Sequence, residues 1–141
     1  MFKVVYDTNV VVSGLLSSRG IPALLLDLVS NKRVSLVLSS DIFNEYVDVL
    51  RRPKFNLPKR QRDSVLRHLR NLADWVEPNQ RISVAKDPDD NIILECAVAG
   101  QVDYLVTGNL RHFPKSIRQI PIVSPRQFLD NYLRSITEDE I

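Results

Sequence analysis

Acidic and amide side chains recur in this sequence where runs of apolar residues end or begin. Asp7 follows the apolar run 2–6. Glu45 lies one turn into a segment that opens with Ser39, Ser40 and Asp41. Asp87, Asp89 and Asp90 crowd the start of the apolar stretch 92–99, and Thr107-Gly108-Asn109 closes the run 103–107. Carboxylates brought together at one place repel, raise one another's pKa and offer oxygen ligands to a hard cation. With one cysteine, Cys96, and two histidines, His68 and His112, the chain has no thiolate cluster to offer. Any bound metal would therefore be held mainly by oxygen, which points to magnesium or manganese rather than zinc. Each residue also has a plainer explanation. Asp7 could cap a helix, Glu45 could be a solvated helix residue, and Asp89 or Asp90 could be a helix N-cap or a favourable first-turn charge. Asn109 and Thr107 could serve the turn alone. Cys96 suits a core position, and the two histidines read as structural or surface residues.

The elements that must position these groups alternate between strand and helix. Residues 2–6, 34–38, 103–107 and 120–123 are short and β-branched, as buried strands are, with a brief extended piece at 75–77. Helices are expected from Val10 to Leu16, after Pro22 to Ser30, and from the Ser39-Ser40-Asp41 caps to about Arg51. Pro53 ends the last of these, and Leu57-Pro58 opens another that runs from Lys59 to about Ala73, with Val65, Leu66, Leu69 and Leu72 as its apolar stripe. A further helix covers Ile92 to Ala99 with Gly100 as its C-cap, and the last runs from Arg126 to about Leu133 after Ser124-Pro125. Such alternation predicts an α/β fold: a three-layer α/β/α arrangement with a central, mostly parallel sheet of four or five strands. Function in such a sheet collects at the carboxyl ends of the strands, where Asp7 and Asn109 fall.

A length of 141 residues fits one domain, here expected over 1–135, with an acidic and frayed tail at 136–141. With 44% apolar and 26% charged residues the chain is neither disordered nor a membrane protein, and its apolar runs fall short of a membrane span. No signal-peptide pattern opens it, so a soluble, cytoplasmic protein is expected. The net charge of +2 is unevenly spread. Residues 51–70 carry eight basic side chains and one acid, a net +7, leaving the rest of the chain at −5. A basic segment on an acidic body suits a polyanion partner, and equally a solvated helix face.

Taken together, the acidic elements resemble the PIN domain. Val4-Val5-Tyr6-Asp7-Thr8-Asn9 looks like that family's opening strand and catalytic Asp. Ser39 to Glu45 resembles its Ser-x-x-x-x-x-Glu helix start, and Asp87-Pro88-Asp89-Asp90-Asn91 its third acidic element. Tyr104-Leu105-Val106-Thr107-Gly108-Asn109 matches its Thr-Gly-Asp turn with one departure, Asn109 in place of the usual Asp. Asp90 is favoured over Asp89, because Ile93 and Ala97 then complete the family's Asp-x-x-Ile-x-x-x-Ala pattern. The resemblance runs from Phe2 to about Phe128, and the subgroup it suits best is the toxin components of toxin–antitoxin pairs.

The resemblance implies a metal-dependent ribonuclease that hydrolyses single-stranded RNA with a water activated by magnesium or manganese. Asp7, Glu45 and Asp90 would be its catalytic acids. The same three, with Asn109, would be the metal ligands, and Asn9, Asp87 and Thr107 would support them. Arg51, Arg52, Arg60, Arg67 and Arg70 are the expected nucleic-acid contacts. Partners implied are RNA, an antitoxin protein and a second copy of the chain. Asn109 keeps a carbonyl oxygen but supplies no charge, which weakens the case for a second metal. It also leaves open a different class of function, a binding module that docks nucleic acid or an acidic protein without cutting it.

Overall fold

The computed structural model describes residues 1–139. Among them the chain forms six strands, β1 (Lys3–Tyr6), β2 (Ser35–Leu38), β3 (Asp74–Trp75), β4 (Tyr104–Val106), β5 (Ser116–Ile117) and β6 (Ile120–Val123). The helices are α1 (Thr8–Leu16), α2 (Ile21–Ser30), α3 (Ser40–Leu50), α4 (Lys59–Leu72), α5 (Pro88–Gly100) and α6 (Pro125–Asp139), with single 3-10 turns at Pro53–Phe55 and Leu110–His112. The sheet order is β3-β2-β1-β4-β6-β5, parallel throughout except for the β5–β6 hairpin. This is the expected mostly parallel α/β sheet with β1 in its interior, and it holds six strands rather than four or five. The additional strand is β5, only two residues long, and two residues carry no readable alternation.

Register and side-chain alternation show helices on both faces. Val4 lies opposite Leu36 in the β1–β2 ladder, so Tyr6 shares a face with Leu36 and Leu38, and Val5 shares the other with Val37. On the first face the Tyr6 hydroxyl donates to the carbonyl of Leu25 in α2 (3.0 Å), and its ring meets Phe128 of α6 edge-on. On the second face Val37 meets α5 at Gly100, where an added Cβ would stand 2.7 Å from Val37 Cγ1. The crossovers from β1 to β2 and from β2 to β3 step one way along the sheet, and that from β3 to β4 steps back. Right-handed connections then put α1 to α4 and α5 on opposite sides. Tyr6, Leu25, Leu36, Leu38, Ile42, Tyr46, Leu94, Leu105 and Phe128 are fully buried, each contributing about 1.5–3 kcal/mol or more by leaving water.

Several boundaries differ from expectation for physical reasons. Helix α1 begins directly after Asp7, because that carboxylate caps Thr8 and no turn intervenes. Helix α5 begins at Pro88 rather than Ile92, since Asp87 caps it and proline suits the first turn. Gly100 is the last residue of α5 and not its C-cap. Gln101 takes the left-handed conformation instead (φ 48°), and the glycine is needed where the helix closes on Val37. Helix α6 opens with a reciprocal cap between Ser124 and Gln127 (Gln127 N–H to Ser124 Oγ, 3.1 Å; Ser124 N–H to Gln127 Oε1, 2.9 Å). It continues to Asp139, so residues 136–139, read as frayed tail, are helical, and positions 140 and 141 of that tail lie outside the described residues. No single helix among the described residues is long and apolar enough to cross a membrane.

Candidate active site

Adjacent strands β2, β1 and β4 end at the same edge of the sheet, and the chain order reverses between β1 and β4. Clefts form at such reversals. Asp7 sits there, its backbone N–H continuing the ladder to the Val106 carbonyl (2.8 Å). Its carboxylate is buried and held by three donors. Thr8 N–H bonds to Oδ1 (2.8 Å), while Thr107 Oγ1 (2.8 Å) and Asn9 Nδ2 (3.2 Å) bond to Oδ2. Asn9 also accepts the Gly108 N–H (3.0 Å), tying the start of α1 to the turn after β4. Thr107, fully buried, accepts the Asn109 N–H (3.0 Å) while donating to Asp7. Thr107 and Asn9 both hydrogen-bond the Asp7 carboxylate. Burial pushes the Asp7 carboxyl up from its ordinary value, against the pull of Thr107, Thr8, Asn9 and the charge of His112.

Glu45 is brought to Asp7 by α3. Ser39 caps that helix at Ile42 N–H (3.2 Å), and buried Tyr46 donates its hydroxyl to the Tyr6 carbonyl, fixing the helix against the strand that ends in Asp7. Burial raises Glu45 to about 7. The nearby Thr8 hydroxyl opposes the rise, and the charges of Asp7, Asp89 and Asp90 add to it. Thr8 falls short of a hydrogen bond to it, since Thr8 Oγ1 and Glu45 Oε2 are both buried without a partner. Asp90 enters from the first turn of α5. Burial raises it to about 6, with Asp7, Asp87 and Asp89 pushing the same way and His112 opposing them. His112 Nδ1 lies 3.8 Å from Asp90 Oδ2, too far for a hydrogen bond, and Oδ2 too is buried without a partner.

Asp7, Glu45 and Asp90 therefore share one electrostatic field. Asp87 serves α5 as its N-cap, accepting the Asp89 N–H at 3.0 Å, and Asp89 is exposed. Asn109 is exposed and tied to the site by its backbone N–H. Arg51, Arg52, Arg60, Arg67 and Arg70 are all exposed. Arg51 lies six residues beyond Glu45, about 9 Å along the helix. Sequence reasoning passed over Thr8, Tyr46 and His112. His112 was legible in one respect: it follows Asn109 by three residues, a single 3-10 turn, and so returns to the edge where Asn109 lies.

The donor set suits a hard cation: carboxylate oxygens, two of them buried and unsatisfied, in a region whose charges repel. Among the described residues no three acids, histidines or cysteines already surround one point.

The fold and its strand-end acids define an α/β domain with a mostly parallel sheet and carboxylates at one sheet edge. The sequence model of the PIN domain matches residues 3–111, and the chain belongs to the PIN domain family, whose members are generally nucleases. An uncharacterized protein of Methanocaldococcus jannaschii is 26% identical over 147 aligned positions, covering 96% of this chain and 94% of that protein. Among solved structures, a chain of VapBC2 from Rickettsia felis, bound to a DNA fragment from their promoter, superposes with a TM-score of 0.59. At 18% identity, over 86% of this chain and 98% of that one, the likeness shows a shared fold.

Proposed function

We propose that this protein is a magnesium- or manganese-dependent endoribonuclease that hydrolyses single-stranded RNA at Asp7, Glu45 and Asp90. The observation that carries the reading is the pair of buried, unpartnered acceptors, Glu45 Oε2 and Asp90 Oδ2, next to a carboxylate already fixed by three donors. Buried acceptors left unsatisfied cost about 1–3 kcal/mol each, more when charged, and a cation removes that cost. When bound, the ion would polarise the phosphate and make a coordinated water acidic near neutral pH. The rest falls to the chain. Thr107, Asn9 and Thr8 hold Asp7 in one orientation. Glu45 supplies a second carboxylate, its Oε2 free of any hydrogen-bond partner in the protein. Asp90 supplies the third carboxylate, and Asn109 stands by as a neutral oxygen donor.

The fold shared with a chain of VapBC2 supports a place among toxin–antitoxin toxins, with an antitoxin protein as partner. The exposed arginines of 51–70 would then meet RNA or an acidic antitoxin segment. A second reading, a PIN-fold module that binds without efficient cutting, is favoured by Asn109, which leaves the site one negative charge short of the usual four acids. Restoring the charge decides between them. Asn109→Asp should raise both manganese affinity and the cleavage rate of a protein that already cuts. A wild-type chain that binds single-stranded RNA and leaves it intact at every manganese concentration would establish the module.

A further inference from the structure

A concavity of about 820 Å³ opens between the β5–β6 hairpin and α6. That is within the range of about 300–1,000 Å³ over which small ligands are held. Its floor is apolar, with Phe113 and Ile122 buried and Pro121 beside them, and Arg111, Lys115 and Arg134 stand around it with Asp130 as the one acid. Asp130 and Arg134 are four residues apart on α6 and so face the groove together. None of these charges is paired: among the described residues the ion pairs are Arg62–Asp63 and His112–Asp90. The groove also shares lining residues with the recess next to His112. Leu110 and Arg111 line both the groove and this smaller recess of about 530 Å³, formed by Gly108, Asn109 and His112, and His112 faces Asp90.

We infer that this groove is a nucleotide subsite, receiving the base next to the scissile phosphate of a single-stranded RNA. The inference rests on the nuclease reading above. The acids at the sheet edge repel a polyanion, so the strand needs cations close by: Arg111 borders the recess, and Lys115 and Arg134 line the groove beyond it. Their guanidinium and ammonium groups hold the phosphates, while the apolar floor takes the face of a base and Asp130 accepts from its exocyclic amino group or ring N–H. Three cations around one apolar floor suit a nucleotide better than a lipid tail or a neutral peptide, which would leave the charges unanswered.

Substrate length provides the test. Wild-type protein with manganese would be given a dinucleotide and a hexanucleotide of RNA, alongside the R111E/R134E variant, whose exposed side chains leave the core untouched. Thermal unfolding would check the fold, and R111Q/R134Q would replace the variant if it melts early. The subsite predicts that wild-type kcat/KM rises about tenfold or more with length, that the variant loses this gain mainly in KM, and that the salt slope of hexanucleotide binding drops by about 1.4 for two lost phosphate contacts on a single strand. Cleavage with the same length dependence and slope in both proteins would overturn the subsite and leave the nuclease reading intact. If wild type cuts neither substrate, the nuclease reading fails. Hexanucleotide binding by fluorescence anisotropy then still decides, since equal affinity in both proteins rules out the groove as a nucleotide site. Loss of binding to an acidic peptide, with RNA binding unchanged, would likewise overturn it in favour of a protein ligand.

Discussion

Asp7 is a buried carboxylate whose burial and hydrogen bonds pull in opposite directions, and its neighbours titrate accordingly. Removing the strongest of its side-chain donors should show this. Thr107→Val deletes the 2.8 Å bond and leaves Asp7 Oδ2 with Asn9 alone. A loss of about 1.5–3 kcal/mol is expected for a bond to a charged group, measured by urea unfolding, with Thr107→Ser retaining most of it. Glu45 and Asp90 give a pH signature. Both are raised in the folded chain, from 4.5 to about 7 and from 3.8 to about 6. The folded protein therefore keeps protons that the unfolded chain has released. Their contribution is intact below about pH 4 and is lost as pH rises to about 7. In metal-free protein, Glu45→Gln should raise Tm more at pH 7.5 than at pH 4.5, and magnesium should stabilise wild type more at the higher pH. A Tm difference between the two proteins that is constant across this range would refute the shifted carboxylate.

At the scale of elements, the contact of α5 with the sheet depends on a missing Cβ. Gly100→Ala would place a carbon 2.7 Å from Val37 Cγ1 and 3.3 Å from Val102 Cγ1, contacts that something must relieve. Overpacking of this kind costs about 1–3 kcal/mol. Val37→Ala should recover part of it, seen as coupling in a double-mutant cycle by urea unfolding. Gly100 also shows where the sequence was ambiguous. A glycine after an apolar helical run reads as a C-cap, and only the position of the neighbouring strand shows that it is a packing residue. Capping chemistry was legible where it is local: Ser39 before α3 and Ser124 before α6 behave as their types suggest. Strands of four residues with β-branched runs were readable, whereas β5 and the 3-10 turn carrying His112 are too short to leave a pattern.

For the whole molecule, the order of elements brings Asp7, Glu45 and Asp90 to one region of the sheet edge; these are the acids that the resemblance to the PIN domain implied. The roles of Tyr46 and of His112 beside Asp90 depend on contacts that only the packed sheet creates. The uneven charge was visible in the sequence. Within 51–70, Arg60, Arg67 and Arg70 of α4 are exposed, while Leu66 and Leu69 turn to the core. Reversing these three to Glu should weaken RNA binding and lower its salt slope by about 2, if each meets one phosphate of a single strand. An unchanged slope would make this face a solvated helix surface. The central claim concerns the acids themselves, and one measurement tests it most directly: manganese-dependent cleavage of a labelled single-stranded RNA by wild type and by Asp7→Asn, with and without chelator. The account predicts cleavage by wild type that chelator abolishes, and a loss of about 100-fold or more in the variant, as for removal of a group that holds a catalytic ion. Equal cleavage by both proteins, or cleavage that chelator leaves untouched, would contradict it.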